Sequence, residues 1–193
     1  LVGSEMCIRD RNLGLPADEV KASVNEALEI VGMREYADKP PHFLSLGQKK
    51  RVALAGVLAM HPEVLVMDEP TSNLDPRAAS EILHLLLRLN RESGLTLIMA
   101  THDVDMVPLF ANKLYILSKG KIVVEGSLNE IFSDTELIRK VNLRSPRITH
   151  LFEILRSRDN LPVDKKLPLT ISEARREILG LLNSRNDKDS DKR

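Results

Sequence analysis

Two neighbouring carboxylates, Asp68 and Glu69, follow an unbroken apolar run, Val64-Leu65-Val66-Met67, and Pro70 ends it. A run of that length, bounded by a breaker, predicts a fully buried strand of a parallel sheet with helices over both faces. Ligands meet such a sheet at the carboxyl ends of its strands, so both acids fall where chemistry is done. Side chains alternate along a strand, which gives the pair separate tasks: one carboxylate can hold a metal ion while the other faces a water molecule. An acidic turn that merely caps the next helix would use the same residues, so the reading depends on the rest of the chain.

A second apolar run, Leu95 to Ala100, ends in Thr101-His102-Asp103. Between the two runs, Pro76 opens a helix whose apolar stripe is Ile82, Leu85, Leu86 and Leu89, and Ser93-Gly94 closes it. Strand, one helical crossover, strand: that order puts both tips on the same sheet edge and brings His102 toward the acids. Upstream, Leu44-Ser45-Leu46-Gly47-Gln48-Lys49-Lys50-Arg51 runs into an apolar helix from Val52 to Met60, closed by His61-Pro62. Ser45 suits an N-cap, and the turn behind it offers free backbone N–H groups and the positive end of a helix dipole to a phosphate.

The remaining elements frame these. Val20, Val24, Ala27, Leu28 and Val31 form one stripe of a helix between Pro16 and Gly32, and Pro40-Pro41 forces an extended connection. A short helix around 104–110 precedes two strands, Lys113 to Leu117 and Lys121 to Glu125, joined by Ser118-Lys119-Gly120 as a hairpin. Gly126 marks a boundary. Residues 127–183 read as a small helical appendage, with an apolar-periodic stretch from Leu137 to Leu155 and a last helix capped by Thr170 or Ser172 that reaches Leu182. Residues 184–193 are polar, charge-mixed and expected to be a disordered tail.

Composition narrows the classes of function. The 193 residues carry 28 Lys+Arg and 28 Asp+Glu, so there is no basic field for DNA or anionic lipid. Aromatics are 3% with no Trp, which leaves little for base stacking; no nucleic-acid partner is expected. A single cysteine, Cys7, provides neither a disulfide framework nor a zinc site. No apolar run approaches the length of a membrane-spanning helix.

Glu63 to Asp75 resembles the Walker B strand, catalytic glutamate and D-loop of ATP-binding cassette (ABC) ATPases. Ser45-Leu46-Gly47-Gln48 resembles their signature motif, usually Leu-Ser-Gly-Gly-Gln, with Leu46 in place of the first glycine, and His102 matches the H-loop histidine. The resemblance implies an α/β fold over residues 12–126: a partial ABC-type nucleotide-binding domain, a P-loop NTPase parallel sheet with helices whose first half is missing. It implies ATP and Mg²⁺ as cofactors, with Asp68 supporting Mg²⁺, Glu69 orienting or deprotonating the attacking water, and His102 contacting the γ-phosphate and holding Glu69 and the water in line. Ser72, Asn73, Leu74 and Asp75 become the D-loop. Ser45, Leu46, Gly47 and Gln48 act on ATP held by a partner subunit, so the ATPase works as a homodimer or heterodimer.

Gln48 to Met60, taken with Pro168-Leu169-Thr170-Ile171-Ser172-Glu173-Ala174, is similar to the energy-coupling-factor ATPases and within them to the cobalt and nickel import group. That likeness implies an appendage that helps pair ATPase subunits, integral membrane transport subunits as partners, and a place on the cytoplasmic face of the membrane. The transported ion is then never bound directly by this subunit, and His42, His61, His84 and His150 are not its ligands. An energy-coupling-factor ATPase for vitamin uptake shares these motifs. An ABC ATPase of DNA repair or chromosome maintenance shares the core motifs but carries long insertions, and none stands between Asn12 and Leu44. A non-catalytic ABC-like interaction module is the third reading, against which the intact Glu69 and His102 stand.

The pattern Gly-x-x-x-x-Gly-Lys-Ser/Thr, which an ABC ATPase needs to hold its own triphosphate, does not occur; Gly120-Lys121 is followed by Ile122. Residues 1–11 have no initiator Met or signal pattern and read as a non-native, adapter-like segment. The chain is therefore expected to be an N-terminally truncated fragment, inactive alone, of a parent that hydrolyses ATP.

Overall fold

The computed structural model describes residues 16–163 and 166–190, with side chains to residue 183. The adapter-like segment 1–11 lies outside the described residues. The described residues divide into two compact units, and the break falls after His102.

In the first unit, helix α1 (Ala17–Ile30) starts behind Pro16 with Asp18 and Glu19 in its first turn, where acids meet the positive end of the dipole. It buries Val20, Val24, Ala27 and Leu28, the stripe its spacing predicts. Two short 3-10 turns, Arg34–Tyr36 and Pro41–Phe43, lead to helix α2 (Leu46–Leu58). Strand β1 (Val64–Asp68), helix α3 (Pro76–Ser93) and strand β2 (Thr96–Ala100) then make the predicted strand, crossover, strand unit. The strands pair in parallel, Val64 opposite Thr96 through Asp68 opposite Ala100, so their carboxyl tips share one edge. Helix α3 has Pro76 in its first turn and buries Ile82, Leu83, Leu85, Leu86 and Leu89. Gly94 ends it at φ +67°, a left-handed conformation that a side chain would strain.

Burial of the strands differs from the sequence expectation. Leu65 is buried and Met67, Leu97 and Met99 are partly buried against the three helices, but the other face is bare: Val64 is 49% exposed, Val66 69% and Ile98 53%. The helices of this unit all pack into one cluster on the Leu65 side, and no described element of the same unit covers the opposite face. An unbroken apolar run reads as buried on both faces; here only alternate residues are.

In the second unit, a short helix α4 (Val107–Phe110) precedes strands β3 (Lys113–Ser118) and β4 (Lys121–Ser127), an antiparallel hairpin. Lys119 and Gly120 both have positive φ, +49° and +73°, the pairing of angles that matches the twist of a two-residue hairpin turn. Helix α5 (Leu128–Ser133) follows behind a reciprocal cap: the Ser127 hydroxyl accepts from Glu130 N–H, and the Glu130 carboxylate accepts from Ser127 N–H. Phe132 from α5 is fully buried with Val107, Ile116, Leu128 and Ile131. The periodic stretch 137–155 forms two helices, α6 (Thr135–Lys140) and α7 (Arg147–Ser157), because Asn142 turns left-handed at φ +55° and Pro146 precedes the second. Phe152, Leu167 and Ala174 form a smaller core, and the Thr149 hydroxyl donates to Pro168 O at 2.9 Å.

The last helix, α8 (Ile171–Ser190), is capped by Thr170, whose hydroxyl accepts from Glu173 N–H at 3.2 Å. Its backbone passes Leu182 and runs on to Ser190, where the polar composition reads as a disordered tail. Residues 183–190 contain no Gly or Pro to stop a helix. The sequence boundary at Gly126 falls inside β4, whereas the two units divide after His102.

Candidate active site

The apolar run ends the strand at Asp68, and the chain leaves it through Glu69 at φ +48°. Glu69 N–H still donates to Ala100 O of β2 at 2.9 Å, so the backbone keeps one more rung of the sheet before it turns. That turn, rather than strand alternation, separates the two carboxylates. Asp68 lies on the bare face of the sheet, exposed, with no polar partner among the described residues. Glu69 folds toward the tip of β2.

There its carboxylate is engaged on both oxygens. Oε1 accepts from the His102 backbone N–H at 2.9 Å and lies 2.5 Å from His102 Nδ1, and the Thr101 hydroxyl donates to Oε2 at 3.4 Å. The His102 ring contact is the largest cause holding the Glu69 carboxyl below the usual carboxylate range; burial pushes the other way, and the His102 N–H and Thr101 hydroxyl add to the lowering. Glu69 is thus ionised at neutral pH and held by the residue that sequence spacing sends toward it. The His102 side chain is 84% exposed, so the pair opens to solvent.

The segment after Glu69 is fixed by short-range bonds. Ser72 N–H and Oγ both donate to Glu69 O, at 3.2 and 2.9 Å, and Asn73 takes φ +58°. Asp75 accepts from Arg77 N–H and Ala78 N–H at 3.0 and 2.9 Å and so caps α3, while Leu74 packs into the core between these caps.

The start of α2 lies along this segment. A Cβ at Gly47 would sit 3.4 Å from Ala78 Cβ and 4.0 Å from Leu74 Cδ2, so the bare backbone is used for close packing against the start of α3. Ser45 and Gln48 make a reciprocal cap: Ser45 Oγ accepts from Gln48 N–H at 3.3 Å and Gln48 Oε1 accepts from Ser45 N–H at 2.9 Å. The cap itself uses neither the Ser45 O–H proton nor the Gln48 amide NH₂. Leu46, at the departure from the usual motif, is exposed. Two residues carry polar contacts here that the sequence reading gave no task. Thr101 is one; the other is Lys50, whose Nζ shares its three protons among Glu69 O, Pro70 O, Ser72 O and Ser72 Oγ. A signal for Lys50 existed, since consecutive cations near a helix N-terminus oppose its dipole and call for acceptors elsewhere.

The other histidines are dispersed. His61 contacts Ser23 Oγ, the His42 ring lies tilted against Phe43, and His150 lies 3.4 Å from Glu153 Oε2. Among the described residues no cluster of three His, Cys, Asp or Glu could hold a metal ion.

Comparison with known proteins bears on the same residues. The family model described as "AAA domain, putative AbiEii toxin, Type IV TA system" matches residues 12–105. The energy-coupling factor transporter ATP-binding protein EcfA of Methanocaldococcus jannaschii is 55% identical over 174 residues, 90% of this chain and 61% of that protein. EcfA3 of Clostridium perfringens is 50% identical over 167 residues, 86% of this chain and 58% of that protein. Among solved structures, CbiO1 from Clostridium perfringens, described as part of the ABC transporter complex cbiONQ, superimposes with a TM-score of 0.64 at 48% identity, over 79% of this chain and 61% of that one. A nucleotide-free ATP-binding cassette of an ABC transporter aligns with a TM-score of 0.58 at 26% identity, over 66% of this chain and 51% of that one. The chain spans about three fifths of the length of the curated relatives it matches. With half or more of its residues shared over most of its own length, and with the same fold, the chain belongs to the family of ABC transporter ATP-binding proteins, with those of energy-coupling-factor transporters among its close relatives.

Proposed function

We propose that this chain is part of the ATP-hydrolysing subunit of an energy-coupling-factor importer, with Glu69 as the carboxylate that orients or deprotonates the attacking water. The observation that carries the reading is the Glu69 carboxylate held by His102 N–H and Nδ1 where two parallel strands end. Asp68, exposed and uncommitted beside it, suits Mg²⁺, a hard cation that takes one or two carboxylates and completes its shell with water and phosphate oxygens. When bound, Mg²⁺ would neutralise charge on the phosphates.

The chain's own residues do the rest. Ionised Glu69 accepts a hydrogen bond from the water and fixes its direction. His102, exposed at the strand tip, is placed to contact the γ-phosphate while its backbone N–H keeps Glu69 aimed. The Ser45 hydroxyl and Gln48 amide keep donors that the cap does not use at the N-terminus of α2, where phosphate binding is favoured; their nucleotide belongs to a partner subunit. Ser72, Asn73, Leu74 and Asp75 form the D-loop between these groups. Hydrolysis needs a phosphate-binding loop that this sequence does not contain.

Partners in this reading are a second ATPase subunit, the same or different, and integral membrane subunits at the cytoplasmic face. CbiO1, described as part of a transporter complex, supports the membrane assembly. Among the described residues no helix is long and apolar enough to cross a membrane. The cargo is cobalt or nickel, held by the membrane subunits. The test is ATP turnover and ion uptake by the assembled transporter. Glu69→Gln should keep ATP binding and lower kcat by about 10²- to 10⁴-fold, the range for a positioned general base. Wild-type turnover in the variant would overturn Glu69's role, and vitamin uptake without cobalt or nickel uptake would overturn the cargo.

A further inference from the structure

We propose that Lys50 is a positioning residue for the Glu69 turn, a single ammonium group on α2 that holds the backbone from which the water-facing carboxylate is presented. Its Nζ lies 3.1 Å from Glu69 O, 3.0 Å from Pro70 O, 2.8 Å from Ser72 O and 3.2 Å from Ser72 Oγ. Three carbonyl oxygens within four residues of chain point at one spot, and such dipoles repel unless a cation sits among them. A lysine ammonium supplies three donors from one point, whereas a guanidinium spreads its donors in a plane.

The turn needs this support because it is strained. Glu69 and Asn73 both take left-handed angles, φ +48° and +58°, which cost a residue with a Cβ free energy unless its surroundings hold it there. The local bonds, Ser72 N–H and Oγ to Glu69 O, lie within the turn and move with it. Lys50 ties the turn to something else: helix α2, anchored in the core by Ala55 and Leu58 and packed through Gly47 against Ala78. A displacement of the Ser45–Gln48 turn would therefore reach Glu69 through one side chain. The role in catalysis rests on Glu69 acting on water; the anchoring does not.

Two measurements separate these. In the 193-residue chain, hydrogen exchange is read at the amides of Glu69, Ser72 and Leu74 and, as a reference, at Leu86 in α3. Lys50→Met is expected to speed exchange at the three turn amides by about tenfold or more while Leu86 stays within about twofold, the mark of local opening. Lys50→Arg, which keeps the charge, should fall between Lys50→Met and wild type. In the assembled transporter, Lys50→Met should lower kcat by about 30- to 100-fold with KM for ATP within about twofold, since misplacement of a catalytic group acts on turnover. The inference is overturned if the turn amides keep wild-type exchange in Lys50→Met. It is overturned equally if all amides accelerate together, which makes Lys50 a residue of general stability, or if Lys50→Arg is as impaired as Lys50→Met. A wild-type assembly that hydrolyses no ATP would defeat the functional reading and leave exchange to decide the role of Lys50.

Discussion

His102 reached its place by spacing alone: a parallel strand, a helical crossover and a second strand leave few positions for the residue after the second tip. That it should hold Glu69 came from the family resemblance; the geometry of the contact was not legible, because Glu69 meets it only by leaving the strand at positive φ, and nothing in Asp-Glu-Pro announces that angle. The consequence is a pH effect with a definite sign. The folded Glu69 carboxyl titrates below its ordinary value, about 4.3 for glutamate. Its stabilising contribution is therefore complete above that value and disappears as pH falls through the lowered folded one. Thermal midpoints followed from pH 6 to pH 3 should show wild type losing an increment of stability over that window, and His102→Ala should lose a smaller one, since only the His102 N–H and the Thr101 hydroxyl remain to hold the carboxylate. An equal acid limb in both proteins would remove His102 as the cause.

Elements were read better at their ends than across their faces. Pro76 and Gly94 bound α3 as their backbone preferences require, and Ser45 caps α2. The exact partner of the Ser45 hydroxyl, Gln48 N–H, followed from a serine and a glutamine three apart, although only the cap itself was anticipated. Strand burial went the other way, since Val, Leu and Met say that a strand is apolar but not how many layers cover it. The two faces of β1 now make a sharp contrast. Leu65→Ala removes buried methyl groups and should cost about 2–5 kcal/mol of unfolding free energy. Val66→Ala, next along the chain and exposed, should change it by within about 0.5 kcal/mol. Denaturant unfolding of the two variants decides the matter, and a large loss at Val66 would mean that its face is covered in solution.

At the scale of the molecule, the family was legible because the motifs come in order at short intervals, each tied to a particular element boundary. The division after His102 was not, since Gly126 looked like punctuation and is instead the penultimate residue of β4. The expectation of inactivity also belongs here. Backbone amides and a lysine must gather around a triphosphate before Glu69 has anything to act on, and no such loop occurs in these 193 residues. The purified chain should release no phosphate from ATP and Mg²⁺ above the rate without protein. Release that Glu69→Gln abolishes would show that hydrolysis needs nothing more.

The uncovered face of β1 and β2 also governs how the chain behaves in a tube. Val64, Val66 and Ile98 form an apolar strip on a sheet whose strands each keep an open edge among the described residues, a combination that invites sheet-to-sheet association. The chain should bind a hydrophobic dye while fully folded and sediment as a concentration-dependent mixture of species. Lysine at Val66 and Ile98 together should abolish both, at little expense to the midpoint of melting. Handling difficulties of that kind would be a property of one face, and two residues would cure them.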